Sequence, residues 1–133
     1  MAELAAPMGE WAVESLIQGA WMREYHEWEK ATKSYFDGQC SRAGTAKPDW
    51  KGKVPGITRA ASHVDRVRAQ LSLFSATISE GTLAILDEQR NRINVAKHED
   101  EYFATEQDYL DLINAVSAFW NELATQEEFT MSR

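Results

Sequence analysis

Residues 64–78 read VDRVRAQLSLFSATI, and Val64, Val67, Leu71, Phe74 and Ile78 step through them by 3, 4, 3 and 4 residues. At 3.6 residues per turn this alternation gathers the five apolar side chains on one side of an α-helix. One side of a helix cannot bury itself, so the stripe predicts a helix packed against others, with Thr58 as its N-cap. On the N-terminal side, a first helix is predicted from about Glu10 to Phe36. There Trp11, Val13, Leu16, Ile17, Ala20, Trp21, Tyr25, Trp28, Tyr35 and Phe36 recur mostly at helical spacing, and Asp37-Gly38 supplies the stop. On the C-terminal side the chain breaks or bends around Ser79 to Thr82, and a third segment carries Leu83, Ile85, Leu86, Ile93 and Val95. His98 to Glu101 reads as a turn. Thr105-Glu106-Gln107-Asp108 then forms a capping box, with Asp in the Glu position, for a fourth helix bearing Tyr109, Leu112, Ile113, Val116, Phe119, Trp120 and Leu123 and ending near Gln126.

The expectation is therefore an all-α, single-domain chain: a four-helix, up-down type bundle over residues 1–133, with residues 38–57 as a flexible loop between the first two helices. That loop holds Gly44, Pro48, Gly52, Pro55 and Gly56 without periodicity. Trp11, Trp21, Trp28 and Trp120 fall on apolar faces and read as core. Trp50, between Asp49 and Lys51, either folds back onto the bundle or contacts a ligand.

With 133 residues the chain can bury a core without disulfides or metal. Cys40, its one cysteine, lies in a loop-like stretch, which excludes an internal disulfide and fits a reducing, cytoplasmic setting. No apolar run has membrane-spanning length, and Met1 to Pro7 lacks the pattern of a signal peptide. The net charge of −7 opposes generic nucleic-acid binding, but it is unevenly spread. Residues 1–40 carry 3 basic and 7 acidic groups, residues 41–97 carry 10 and 5, and residues 98–133 carry 1 and 9. The basic middle suits a polyanion or an ordinary solvated helix face alike.

Candidate chemistry is confined to that middle. No histidine has Glu three residues before it, as di-metal bundles require, and His26-Glu27-Trp28-Glu29 reverses the order, so neither a metal nor a cofactor is expected. The stretch from Asp87 to His98 instead concentrates Arg90, Asn91, Arg92, Asn94, Lys97 and His98 at a helix end. Phosphodiester cleavage needs a proton acceptor and donor, work suited to histidine, and a cation for the crowded phosphate. His98 is the candidate acid or base. Arg92, with Arg90 as its alternative, is the candidate phosphate ligand, with Asn91 assisting; Lys97, Asn94 and Trp50 are candidate substrate contacts. On an unbroken helix Arg92 and His98 would point about 120° apart, so a turn near Ala96 is expected to bring them together.

The order of elements and this segment resemble the HEPN superfamily of helical nucleotide-binding and ribonuclease domains. Its marker is Arg, usually followed by a polar residue, then His after four to six residues. Arg92 and His98 have five residues between them, with Ile93 in the polar position; Arg90-Asn91 is the better dipeptide, but seven residues separate Arg90 from His98. The resemblance of arrangement spans roughly Glu10 to Gln126. It implies a metal-independent endoribonuclease acting on RNA as a homodimer, of the kind found in toxin–antitoxin and phage-defence systems with a cognate antitoxin or effector partner. The endoribonuclease is the reading adopted from it, and the alternative that the family also allows is a non-catalytic nucleotide- or protein-binding module. A plain helical-bundle interaction protein, whose arginines pair with Asp87 or Glu88, is the remaining reading. The aromatic face of the first helix serves a core or a dimer interface.

Overall fold

The structure is a computed structural model, described for residues 2–99 and 103–131, with side chains for residues 12–99 and 103–126. Among the described residues four helices make up the regular structure: α1 (Ala2–Ala43), α2 (His63–Leu73), α3 (Glu80–His98) and α4 (Glu106–Met131). They pack as an all-α bundle in which α4 lies along α1 and α3 while α2 touches α1 and α3.

The core is aromatic. Trp21, Trp28, Phe36 and Phe119 are fully buried with Leu86, Leu112, Val64 and Val67. Trp28 meets Phe119 edge-on at 5.4 Å between centroids, a geometry favoured by ring quadrupoles. Trp120 is half-buried against Phe119 and Tyr35. Trp11 lies outside the described side chains. Gln89, itself buried, accepts the Trp21 indole N–H at 2.7 Å, which satisfies both groups where water cannot reach.

The first helix is longer than its sequence suggested. Gly38 does not end it; Phe36 and Cys40 are both buried, and burying that face outweighs the roughly 1 kcal/mol cost of a helical glycine. The stop is Gly44, left-handed at φ +70°, where Gly44 N–H donates to Ser41 O and Thr45 N–H to Cys40 O. This pair of bonds is a Schellman end. Cys40 therefore sits in a helix and in the core, not in a loop, with its thiol 3.8 Å from Gln70 Oε1.

The irregular connector accordingly runs over 44–62 instead of 38–57, and it is tied to the bundle. Trp50 donates its indole N–H to Asp37 Oδ1 at 3.1 Å and stacks on His63 at 5.1 Å. Arg66 reaches back to Gly52 O and Ala61 O, both at 2.8 Å.

Ser62, not Thr58, caps α2. Its hydroxyl accepts from Asp65 N–H at 3.1 Å while Asp65 accepts from Ser62 N–H at 2.9 Å. Phe74 and Ile78 extend the apolar stripe beyond the helix, which stops at Leu73. Ser75, at φ 55°, closes a second Schellman end through Ser75 N–H to Ser72 O and Ala76 N–H to Leu71 O. Thus the break precedes Ser79, which caps α3, and Gly81 lies inside that helix. Glu122 of α4 accepts from Ser79 N–H at 2.8 Å and from the Thr82 hydroxyl at 3.0 Å, so it secures the α3 start.

The capping box predicted for α4 is present: Asp108 N–H donates to the Thr105 hydroxyl at 3.0 Å and Thr105 N–H to Asp108 Oδ2 at 2.9 Å. The helix runs on past Gln126 to Met131. Val13, Leu16, Ile85 and Val95, expected on buried faces, are exposed. The first two precede Ile17, the first described α1 side chain packed against the core, and the other two lie on the exposed side of α3. Asp100 to Tyr102, part of the predicted turn, lie outside the described residues.

Candidate functional site

Helix α3 continues without a break to His98, and Glu99 N–H closes its last turn on Val95 O at 2.9 Å. The turn expected near Ala96 does not form. Ile93 and Ala96 are buried, the stretch holds neither Gly nor Pro, and burial keeps the helix wound. Arg92 and His98 consequently leave the axis about 120° apart.

The two arginines of α3 have different surroundings. Arg92 is held by two carboxylates, donating from Nη1 to Asp108 Oδ1 and from Nη2 to Glu88 Oε1, the latter at 2.7 Å. Burial alone would lower its pKa, but the hydrogen bonds to Asp108 and Glu88 outweigh it and raise the pKa further. For Asp108, burial pushes the carboxyl up, yet the Thr105 N–H and Arg92 together hold it below the usual carboxylate range. Arg90 makes no ion pair among the described residues; its Nη1 donates to Asn91 Oδ1 at 3.4 Å. It lies about 160° around α3 from Arg92.

Helical spacing puts Arg90, Asn94 and Lys97 within about 60° of one another, with Asp87 at the edge of the same stripe and His98 about 80° from Arg90. Lys97 and His98 are exposed, Arg90 and Asn94 half-buried, and Asn91 exposed. This side of α3 faces α1. A groove of about 360 Å³ lies between the two helices, lined by Met22, Arg23, Tyr25, His26 and Glu29 from α1 and by Ile93 and Lys97 from α3. His26 Nδ1 is 3.9 Å from Glu29 Oε1. The charge of Arg90 also acts on Tyr25, whose phenol is pushed above the usual tyrosine range by burial first and then by Glu29.

The structure therefore gathers Arg90, Asn94 and Lys97 on one stripe and sends Arg92 to the α4 side. Trp50 is separate from this groove, held between Asp37 and His63. Arg23, Tyr25 and His26 were not singled out as site residues, because α1 reads from its sequence as an aromatic core face with an exposed polar edge. Their only signal is position: 23 and 26 flank the buried 25 on a helix whose partner was unknown.

His63 was also missed. It is buried at the start of α2, edge-on to Trp28 at 5.3 Å and stacked on Trp50. Its Nε2 is 2.7 Å from the Thr32 hydroxyl, which also lies 2.9 Å from the carbonyls of Trp28 and Glu29. Burial, then Lys33, Arg66 and Arg90, lower its pKa to about 3. It is a neutral core histidine under ordinary conditions.

Among the described residues no three His, Cys, Asp or Glu side chains gather as metal ligands would, and no helix is long and apolar enough to cross a membrane. No family model, curated protein or solved structure matches the chain.

Proposed function

We propose that the protein is a HEPN-like module that binds RNA along the α1-facing side of α3 without cleaving it. The observation that carries this reading is the division of the two arginines. Arg92, the phosphate ligand that the family spacing would select, is neutralised by Asp108 and Glu88 and diverges from His98. Arg90, Asn94 and Lys97 remain on a common stripe, two cations and an amide spaced to track successive backbone phosphates. Acidic groups elsewhere and a stripe of two cations make such binding weak, with a shallow but measurable salt dependence.

A second reading, a metal-independent endoribonuclease, draws on one specific feature: His98 is exposed on the last turn of α3 beside Lys97. In that case Arg90 takes the phosphate role in place of Arg92, and a second copy completes the site. Titration of a labelled single-stranded RNA in EDTA tests both. Salt-sensitive binding with intact RNA supports the module. Cleavage that disappears in His98→Ala supports the enzyme, and neither binding nor cleavage leaves the chain a helical-bundle interaction protein.

A further inference from the structure

The groove between α1 and α3 holds more than a cationic stripe needs. Met22 and Ile93 give it an apolar wall, Arg23 and Lys97 set one cation on each helix, and its one carboxylate, Glu29, is close to His26. Tyr25 lines the same groove at 4 % exposure, and its hydroxyl has no hydrogen-bond partner among the described residues. A buried hydroxyl left unpaired lowers stability and calls for an explanation. A ligand acceptor supplies one once the side chains that close the hydroxyl from solvent move aside. Its raised pKa keeps the phenol protonated, so it serves as a donor.

We infer that this groove seats a terminal nucleotide bearing a phosphate monoester. The volume of about 360 Å³ takes one nucleotide and not a strand. Two cations on opposite walls match the roughly −1.5 to −2 charge of a monoester better than the single charge of an internal diester. The flat base lies against Met22 and Ile93, and the Tyr25 hydroxyl donates to the base or sugar. This inference rests on the RNA reading for the larger ligand, but a free nucleoside monophosphate carries the same chemistry.

The test compares decanucleotides of one sequence carrying a 5′-phosphate, a 3′-phosphate or neither, together with AMP, against wild type, Arg23→Ala and Tyr25→Phe. Expected is a preference of about tenfold for one phosphorylated end over the unphosphorylated strand. Arg23→Ala should abolish that preference with binding of the unphosphorylated strand unchanged, whereas Tyr25→Phe, which removes a contact to base or sugar, should weaken binding of AMP and of the preferred strand about three- to tenfold. Tyr25→Phe should melt at or above the wild-type temperature without ligand; a lower melting temperature would show that the hydroxyl is satisfied internally, and overturns the inference. Equal binding of all three strands with no AMP binding overturns it while leaving RNA binding intact. AMP binding lost in Arg23→Ala and weakened in Tyr25→Phe, with no strand bound, removes the RNA reading and keeps the groove as a site for free nucleotide. No binding of any probe overturns both.

Discussion

Arg92 and Asp108 join the middle of α3 to the first turn of α4, and Asp108 serves two ends at once: Oδ2 accepts from Thr105 N–H within the capping box while Oδ1 accepts from the Arg92 guanidinium. Asp65 does the same for α2, capping through Ser62 while Arg59 and Arg68 bind its carboxylate. At Asp108 the helix cap is also a tertiary tie; at Asp65 the arginines come from the connector and from α2 itself, so the tie is local.

Asp108→Ala should therefore destabilise more than a cap alone, by about 2–3 kcal/mol, since it removes a cap worth about 1 kcal/mol and a charge-assisted bond from a mostly buried acceptor. Glu88→Ala, which breaks only the exposed i,i+4 pair, should stay within about 0.5 kcal/mol. Urea unfolding of the two variants measures the difference; equal effects would mean that Arg92 belongs to the surface pair alone.

Acid should weaken the fold in two stages. His63, lowered to about 3 by burial, stays neutral in the fold while the unfolded chain takes up a proton below about pH 6.5. The unfolded state then binds more protons, so stability falls as pH drops, by about 2 kcal/mol between pH 6.5 and 5. Asp65 and Asp108 have depressed folded pKa values, so their contribution is complete above the ordinary carboxylate range and is lost as pH falls below about 4. His63→Phe, which keeps a ring between Trp28 and Trp50, should flatten the first stage and leave the second. A slope between pH 5 and 6.5 that survives the substitution would place the titrating group elsewhere.

Trp50 pins the connector to the bundle through Asp37 and His63. Trp50→Ala should cost roughly 2 kcal/mol from lost ring contact and burial, and should open residues 44–62 to limited proteolysis. RNA affinity should not change. Weaker RNA binding without a change in stability would assign Trp50 to a ligand instead.

Ser75 occupies a left-handed position that glycine fills without strain. Ser75→Gly should raise stability by about 0.5–1 kcal/mol, the relief of that strain less the added freedom of the unfolded chain. Thermal melts decide it, and destabilisation would show that the Ser75 side chain contributes more than its backbone strain removes.

Helices were legible wherever periodicity and capping chemistry coincided. Thr105 and Asp108 were read correctly because an apolar stripe begins directly after them. Ser62 and Asp65 carry the same spacing, but Thr58 drew the α2 start away from them, since nothing local shows that Arg59 to Ala61 lie outside the helix. Asp37-Gly38 is a turn signal that burial of Cys40 overrode. At the site, the Arg92–Glu88 pair was readable at i,i+4, whereas Asp108 lies 16 residues from Arg92 and meets it only through packing. The division between Arg90 and Arg92 follows from which helix each side of α3 faces. The sequence leaves that choice open, as it does the pairing of Arg23 and Lys97 across a groove and the placement of His63 between two tryptophans.

In the proposed module Arg90 and Lys97, and not Arg92 with His98, meet RNA. The most direct measurement is the salt dependence of binding to a labelled single-stranded RNA in EDTA, for wild type, Arg90→Ala, Lys97→Ala and His98→Ala, with the RNA checked for integrity afterwards. Arg90→Ala and Lys97→Ala should each weaken binding and each lower the magnitude of the log–log salt slope by about 0.7, while His98→Ala binds as wild type and the RNA stays whole. Binding unchanged in Arg90→Ala and Lys97→Ala, or RNA cut by wild type and spared by His98→Ala, would contradict it.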